Sequence, residues 1–201
     1  MITDDKSLSG NRLFPIFIKL DQLKTLIVGG GFVGLEKITG LLKNDSLAKI
    51  TLVAPEIRDE IRMNAKKYPN VTLVEREFKS DDLNNVDIAI LATAHRPTNI
   101  EIRKIAKARG ILTNVADTPD LCDFYLGSTV KKGNLKLGIS TNGMSPTVSK
   151  RLRQLFEEAL PDELDQLISN LKTVRDSLKG DFDYKVNRLN EITAGLVNDH
   201  N

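Results

Sequence analysis

One cysteine, Cys122, stands among 201 residues, so no internal disulfide can form and a reducing, cytoplasmic setting is expected. No apolar run approaches the roughly 20 residues of a membrane span, so no membrane partner is expected. The opening MITDDKSLSGNR is polar and acidic where a secretory leader would be basic and then apolar. Neither sign of charge prevails. Lys+Arg number 29 and Asp+Glu 27, a formal net charge of +2, which argues against a nucleic-acid partner held by bulk charge. Histidine is scarce, only His95 and His200, and no zinc, haem or nucleophile-triad spacing occurs, so no resident metal is expected. What remains is ordinary for a soluble globular chain: 40% hydrophobic and 28% charged. A chain of this size buries roughly 70% of its unfolded surface and needs no staples to fold.

The apolar pattern alternates between two periods. TLIVG (25–29), ITLVA (50–54), VTLVE (71–75), VDIAILATA (86–94) and ILTNVA (111–116) read as strands of a buried parallel sheet. Between them, LEKITGLLKN (35–44), EIRDEIRMNAKKY (56–68) and NIEIRKIAKARG (99–110) carry apolar residues at helical spacing, and Gly110 is a natural stop. LFPIFIKL (13–20) is expected to be the first ordered apolar segment, after a flexible arm over residues 1–12. Strand and helix in alternation imply an α/β, Rossmann-like doubly wound parallel sheet. Past about residue 117 the pattern changes. FYLGSTV (124–130) and LKLGIST (135–141) flank KKGN as an antiparallel hairpin would, and from Pro146 onward the chain reads as helical.

Gly29, Gly31 and Gly34 form GxGxxG directly after a predicted strand and at the start of a predicted helix. The first glycine permits a tight turn, the second lets backbone approach a pyrophosphate, and the third allows close helix–strand packing. The helix start adds free N–H groups and the positive end of a dipole. The adenosine ribose is usually held by an acid at the tip of the second strand, where this chain has Ala54 and Pro55. Glu56 is the nearest acid; it could reach the ribose or simply favour its own helix dipole. Arg58 could instead suit a 2′-phosphate. NAD is the expected cofactor, with NADP open.

Asp117 lies just past a predicted parallel strand, where ligands bind in such sheets. Its carboxylate could take the proton lost in a dehydrogenation, or it could serve a turn before Thr118-Pro119. Asn114 could bond a substrate or serve a turn. Ser145-Pro146 is a helix-start signature, and Thr141, Asn142 and Gly143 precede it as a loop that offers N–H groups to an anion. Lys150, Arg151 and Arg153 follow, either as partners for an acidic substrate or as a solvated basic face. His95 could bind iron but lacks partner ligands. Cys122 reads as a small packed side chain.

The stretch NVADTPDLCDFYLGSTVKKGNLKLGISTNGMSPTVSKRLR (114–153) and the opening LFPIFIKLDQLKTLIVGGGFVGLEK (13–37) resemble the precorrin-2 dehydrogenase/sirohydrochlorin ferrochelatase family, which completes siroheme synthesis. The likeness runs from about residue 13 to about 155 and does not reach the methyltransferase that fused siroheme synthases carry. It implies an NAD-binding domain over 13–116, a β-hairpin dimerisation segment over 117–145 and a helical domain over 146–201. It implies a homodimer, a tetrapyrrole substrate, dehydrogenation of precorrin-2 to sirohydrochlorin and, in some members, insertion of Fe(II). The family's catalytic aspartate in N-x-x-D falls on Asp117. Its cofactor contacts fall on Gly29, Gly30, Gly31, Phe32, Val33 and Gly34, on Pro55 and Glu56, and on Thr93. Substrate contacts are expected from Asn114, Thr141, Asn142, Ser145 and Lys150. Thr141 stands where some members phosphorylate a serine, Gly34 where alanine is common, Gly127 where proline is frequent, and His95 where many have an acid. A non-enzymatic dinucleotide sensor accounts for the glycine loop equally well, but not for Asp117, the hairpin and the Ser145-Pro146 helix as one ordered set. Turnover separates the two.

Overall fold

Lys24–Val28 (β1) is apolar on both faces, with Leu26 and Ile27 wholly buried, so it belongs at the middle of a sheet covered on both sides. The structure, a computed structural model, describes residues 10–195, which leaves His200 and most of the expected N-terminal arm outside the described residues. β1 pairs in parallel with Lys49–Ala54 (β2) on one side and Ile88–Leu91 (β4) on the other. Val71–Glu75 (β3) and Leu112–Val115 (β5) complete a parallel five-stranded sheet of order β3-β2-β1-β4-β5.

Two helices on one face and one on the other make the sheet doubly wound. Phe32–Asn44 (α1) and Asp59–Lys67 (α2) set Ile38, Leu41, Leu42 and Ile61 against Ile27, Ile50, Leu52 and Ile90. Arg96–Ala108 (α3) sets Ile102 and Ala106 against Leu26, Val28, Ala89 and Leu91. The parity of the strand side chains assigns each to its helix layer. Burial of several Leu, Ile and Val side chains on each face, at about 1.5–3 kcal/mol apiece, is what holds the layers.

Element ends depart from the periodicity where a local bond decides. The second helix starts at Asp59 rather than 56, because Arg58 N–H donates to Gly30 O (3.1 Å) and holds Pro55–Arg58 as a loop. The third helix starts at Arg96 rather than 99, because His95 Nδ1 accepts from Thr98 N–H and caps the helix, with Pro97 in its first turn. The segment 13–18 forms neither strand nor helix, and Leu13, Phe14, Ile16, Phe17 and Ile18 are exposed; burial begins only at Leu20. β1 already has a neighbour on each edge, so this segment has no place beside it.

The chain divides into two units: Met1–Leu126 with Asn142–Met144, and Gly127–Thr141 with Ser145–Asn201. The second unit holds an antiparallel hairpin, Ser128–Lys132 (β6) and Leu135–Ile139 (β7), and the helices Pro146–Ala159 (α4), Leu164–Ser177 (α5) and Phe182–Thr193 (α6). The hairpin turns at Gly133, whose φ of 53° suits glycine. Asp165 of α5 braces that turn, accepting from Asn134 N–H at 2.7 Å and from its side-chain amide at 2.8 Å. Among the described residues of this unit only Val130 and Ser149 are buried, while Leu155, Phe156, Phe182 and Ile192 are exposed.

Candidate active site

All strands of the sheet run the same way, so their carboxyl ends share one edge. That edge carries Gly29–Gly31 after β1, Pro55 and Glu56 after β2, Thr93–His95 after β4, and Asp117 after β5. β1 and β4 are neighbours whose following helices pack on opposite faces, which opens a crevice at that point of the edge. The cofactor residues expected from the sequence and Asp117 thus meet at one edge of one unit.

Gly29, Gly30 and Gly34 each have a separate steric reason. Gly29 has φ 122°, and a Cβ there would lie 2.4 Å from Ala92 O. Gly30 sits against Glu56 O, and Gly34 against Gly29 O at 2.1 Å from where its Cβ would be, which lets α1 close onto the loop. At Gly31 a Cβ would meet nothing within 4 Å, so bare backbone faces open space. α1 begins with no side-chain cap and no acid in its first turn, so its leading N–H groups and dipole are left for an anion. These features fit the pyrophosphate of a dinucleotide.

Beyond the loop the side chains sort into committed and uncommitted. Glu56 is exposed and makes no side-chain bond within the described residues. Arg58, by contrast, lies with its guanidinium 3.7 Å from the centroid of the Phe32 ring and donates from Nη2 to Glu60 Oε1 at 2.7 Å. That bond holds the Glu60 carboxyl below its ordinary value. Thr93 Oγ1 donates to Asn99 Oδ1 (2.6 Å), and the Asn99 amide returns a bond to Thr93 O. His95 Nδ1 lies 2.8 Å from Thr98 Oγ1 and serves as the helix cap. Among the described residues no three His, Cys, Asp or Glu side chains come together as a metal site.

The loop bearing Asp117 is stapled by the segment that follows it. Asp123 Oδ2 accepts from Thr113 N–H (3.0 Å) and Oγ1 (2.8 Å), while Arg103 pairs with Asp123 Oδ1 and donates to Leu121 O. Cys122 Sγ accepts from Val115 N–H at 3.2 Å, and burial pushes its thiol up, which keeps it an inert packed group. Asn114 is buried in β5, and its amide donates to Phe124 O at 2.9 Å. That donor is spent on the staple. Asp117 itself has φ 55°, a left-handed backbone that Asp tolerates better than most residues. Its carboxylate is exposed and makes no bond within the described residues, so it does not act as the turn-forming acceptor.

In the second unit, Thr141 Oγ1 accepts from Ser145 N–H (3.2 Å) and lies 3.1 Å from Ser149 Oγ. Ser145 Oγ accepts from Val148 N–H, and Pro146 has no N–H, so the start of α4 presents fewer free donors than its position implies. Asn142, which belongs to the first unit, has φ 54° and is exposed. Lys150 is exposed and, with Pro146, Thr147, Arg151 and Gln154, lines a shallow cavity of about 300 Å³. Arg153 is tied to Glu157 on the same helix. The sequence reading missed the Arg58–Glu60 pair. Its signal was an acid two residues past an arginine that precedes the helix rather than lying within it.

A family model described as NAD(P)-binding matches residues 16–128, and one described as the central part of a sirohaem biosynthesis protein matches residues 132–159. The siroheme synthase of Pseudoalteromonas translucida is 34% identical over 174 residues, 87% of this chain and 36% of that protein. The siroheme synthase of Nitrosomonas europaea is 31% identical over 174 residues, with the same shares of 87% and 36%. The chain therefore spans about a third of the length of these curated relatives. Among solved structures, SirC, a precorrin-2 dehydrogenase, matches with a TM-score of 0.71 at 26% identity, over 93% of this chain and 90% of that one.

Proposed function

The chain belongs to the NAD(P)-binding family of siroheme-biosynthesis proteins, and from that membership we propose that it oxidises precorrin-2 to sirohydrochlorin with NAD as hydride acceptor. The observation that carries the proposal is the unspent carboxylate of Asp117 on the same strand-end edge as the open glycine loop. The likeness to SirC supports it, because that likeness covers nearly the whole of both chains.

Dehydrogenation takes a hydride from one carbon of the substrate and a proton from its neighbour. The hydride acceptor would be supplied by bound NAD. The chain supplies the rest. The α1 N-terminus would hold the pyrophosphate against bare backbone at Gly31, Gly29 and Gly34 keep the loop close to Ala92 and to α1, and Glu56 would accept from the ribose hydroxyls. The Asp117 carboxylate receives the proton, general-base work that contributes typically 10²–10⁴-fold. The same carboxylate would take pyrrole N–H protons as Fe(II), a second substrate, enters sirohydrochlorin. Lys150, beside Thr147 and Arg151 at the α4 cavity, would pair with carboxylates of the tetrapyrrole, and the Thr141–Ser145 loop would contribute backbone N–H groups rather than its bonded hydroxyls.

The same reading makes the β6–β7 hairpin a dimerisation segment. Its unit has two buried residues among those described, and a lone two-stranded hairpin is marginal in water, so a second copy supplies the missing burial. Light scattering should give about twice the 22.3 kDa of one chain; a 22.3 kDa particle removes the dimer. No helix of the described residues is long and apolar enough to cross a membrane, and the single thiol fits the reducing cytoplasm proposed for the reaction.

The test is an anaerobic assay of the purified protein with precorrin-2 and NAD, following NADH and the sirohydrochlorin spectrum, with Fe(II) added afterwards to the same cuvette. NADH formed in step with sirohydrochlorin supports the dehydrogenase, and siroheme after iron supports the second activity. NAD bound without turnover would replace the enzyme with a dinucleotide sensor.

A further inference from the structure

We infer that Glu60 sets the cofactor selectivity of this site: by holding the Arg58 guanidinium it reserves the adenosine end of the groove for NAD over NADP. The inference rests on the dinucleotide reading above and deepens it.

The geometry starts at the end of β2, where a dinucleotide fold meets the adenosine ribose. Arg58 follows that strand end by four residues, and its N–H is bonded to Gly30 O, so it stands at the glycine loop. An arginine there is suited to a 2′-phosphate, because its planar fork grips phosphate oxygens in pairs. Here one arm of the fork is already engaged. One face lies over the Phe32 ring, and Nη2 donates to Glu60 Oε1 at 2.7 Å. That bond holds the Glu60 carboxyl below its ordinary value, so the pair is charged on both sides at neutral pH.

The charges around the fork disfavour an added phosphate. Residues 56–60 carry Glu56, Asp59 and Glu60 against Arg58 alone. Asp59 has Arg62 Nε within 4.0 Å, and Arg62 is itself bonded to Glu75. A 2′-phosphate would meet two acids and a neutralised arginine. A ribose hydroxyl, which donates, suits the unbonded Glu56 carboxylate. Arg58 Nε is buried with no acceptor, so a phosphate would be met by the terminal nitrogens of the guanidinium, one of which Glu60 holds. Removing Glu60 frees a phosphate grip that the fold already holds in place.

Titration calorimetry of the full chain with NAD and with NADP tests this. The natural chain is expected to bind NAD at least about tenfold more tightly than NADP. Glu60→Ala is expected to tighten NADP by about fivefold or more while NAD changes less than about twofold, and Glu60→Ala with Arg58→Ala is expected to lose that gain. Thermal unfolding of each variant checks that it is folded, and Glu60→Gln, which keeps the side chain's shape, repeats the test with a smaller gain. An unchanged NAD-to-NADP ratio in folded Glu60→Ala overturns the inference and leaves the cofactor reading standing. Equal binding of both dinucleotides by the natural chain also overturns it. Binding of neither removes the cofactor reading and the inference together.

Discussion

Alanine in place of Gly34 and alanine in place of Gly40 are the same substitution in the same helix, and the structure gives them opposite signs. Both lie inside α1, where replacing glycine by alanine gains roughly 0.5–1 kcal/mol through backbone entropy. At Gly40 nothing stands within 4 Å of the new Cβ, so the gain is kept. At Gly34 the Cβ would lie 2.1 Å from Gly29 O and 3.0 Å from Gly29 C, where ordinary contact begins near 3.4 Å. The obstacle is backbone, and it has little freedom to retreat. Gly29 N–H donates to Val53 O at 3.0 Å, and its α-carbon is set against Ala92 O. Overpacking of this kind costs about 1–3 kcal/mol, more than the helix entropy returns. Gly34→Ala is therefore expected to lower Tm by several degrees, at roughly 2–4 °C per kcal/mol for a chain of this size, while Gly40→Ala raises it slightly. NAD affinity should fall with Gly34→Ala, since the displaced carbonyl belongs to the pyrophosphate loop, and hold with Gly40→Ala. Differential scanning fluorimetry and calorimetry read both quantities. If Gly34→Ala proves as stable as Gly40→Ala and binds NAD equally well, the close approach of α1 to the loop is not what requires glycine there.

Asp117→Asn keeps a residue that tolerates a positive φ and removes the proposed base; NAD binding should persist while turnover falls about 10²–10⁴-fold, and retained turnover would exclude Asp117 as the proton acceptor. Gly31→Asp should leave folding intact, since its side chain enters open space, yet weaken NAD by about tenfold or more through charge conflict with pyrophosphate; unchanged affinity in calorimetry would make the loop structural only. Asp82 is held below the usual carboxylate value by its paired bonds from Arg76, at 2.6 and 2.8 Å, and by Lys79 N–H. A depressed folded value means stability present above the ordinary value of 3.8 and lost as pH falls through the folded one, so Asp82→Asn should destabilise by about 1.5–3 kcal/mol at pH 7 and progressively less in acid. A penalty that stays constant down to pH 2 would show that the pair's charge contributes nothing.

What the sequence discloses divides along the range of the contacts involved. The strands at 25–29, 50–54 and 71–75 are legible because a buried parallel strand needs a short apolar run, and the helices between them because one face must be apolar. The glycine loop is legible for a similar reason: Gly29 and Gly34 answer to neighbours set by a strand–turn–helix that the pattern already implies, and Gly31 leaves bare backbone facing open space. Contacts across irregular segments leave no such period. Nothing in the spacing tells that the Asn114 amide is spent on Phe124 O, that Arg58 N–H reaches back to Gly30 O, or that apolar residues 13–18 stay exposed. The proposed tetrapyrrole substrate is legible only through resemblance, because the residues proposed to meet it sit on loops and on one helix end. The structure then sorts the candidates by a test that sequence cannot apply, which is whether the fold has already used the side chain. Asn114, Thr141, Ser145 and Arg58 have donors or acceptors committed within the chain, whereas Asp117 and Glu56 have none engaged among the described residues. A carboxylate held at a strand end in a left-handed turn, exposed and without an internal bond, adds nothing evident to stability; its place at the edge shared with the glycine loop gives it work only when a ligand is there.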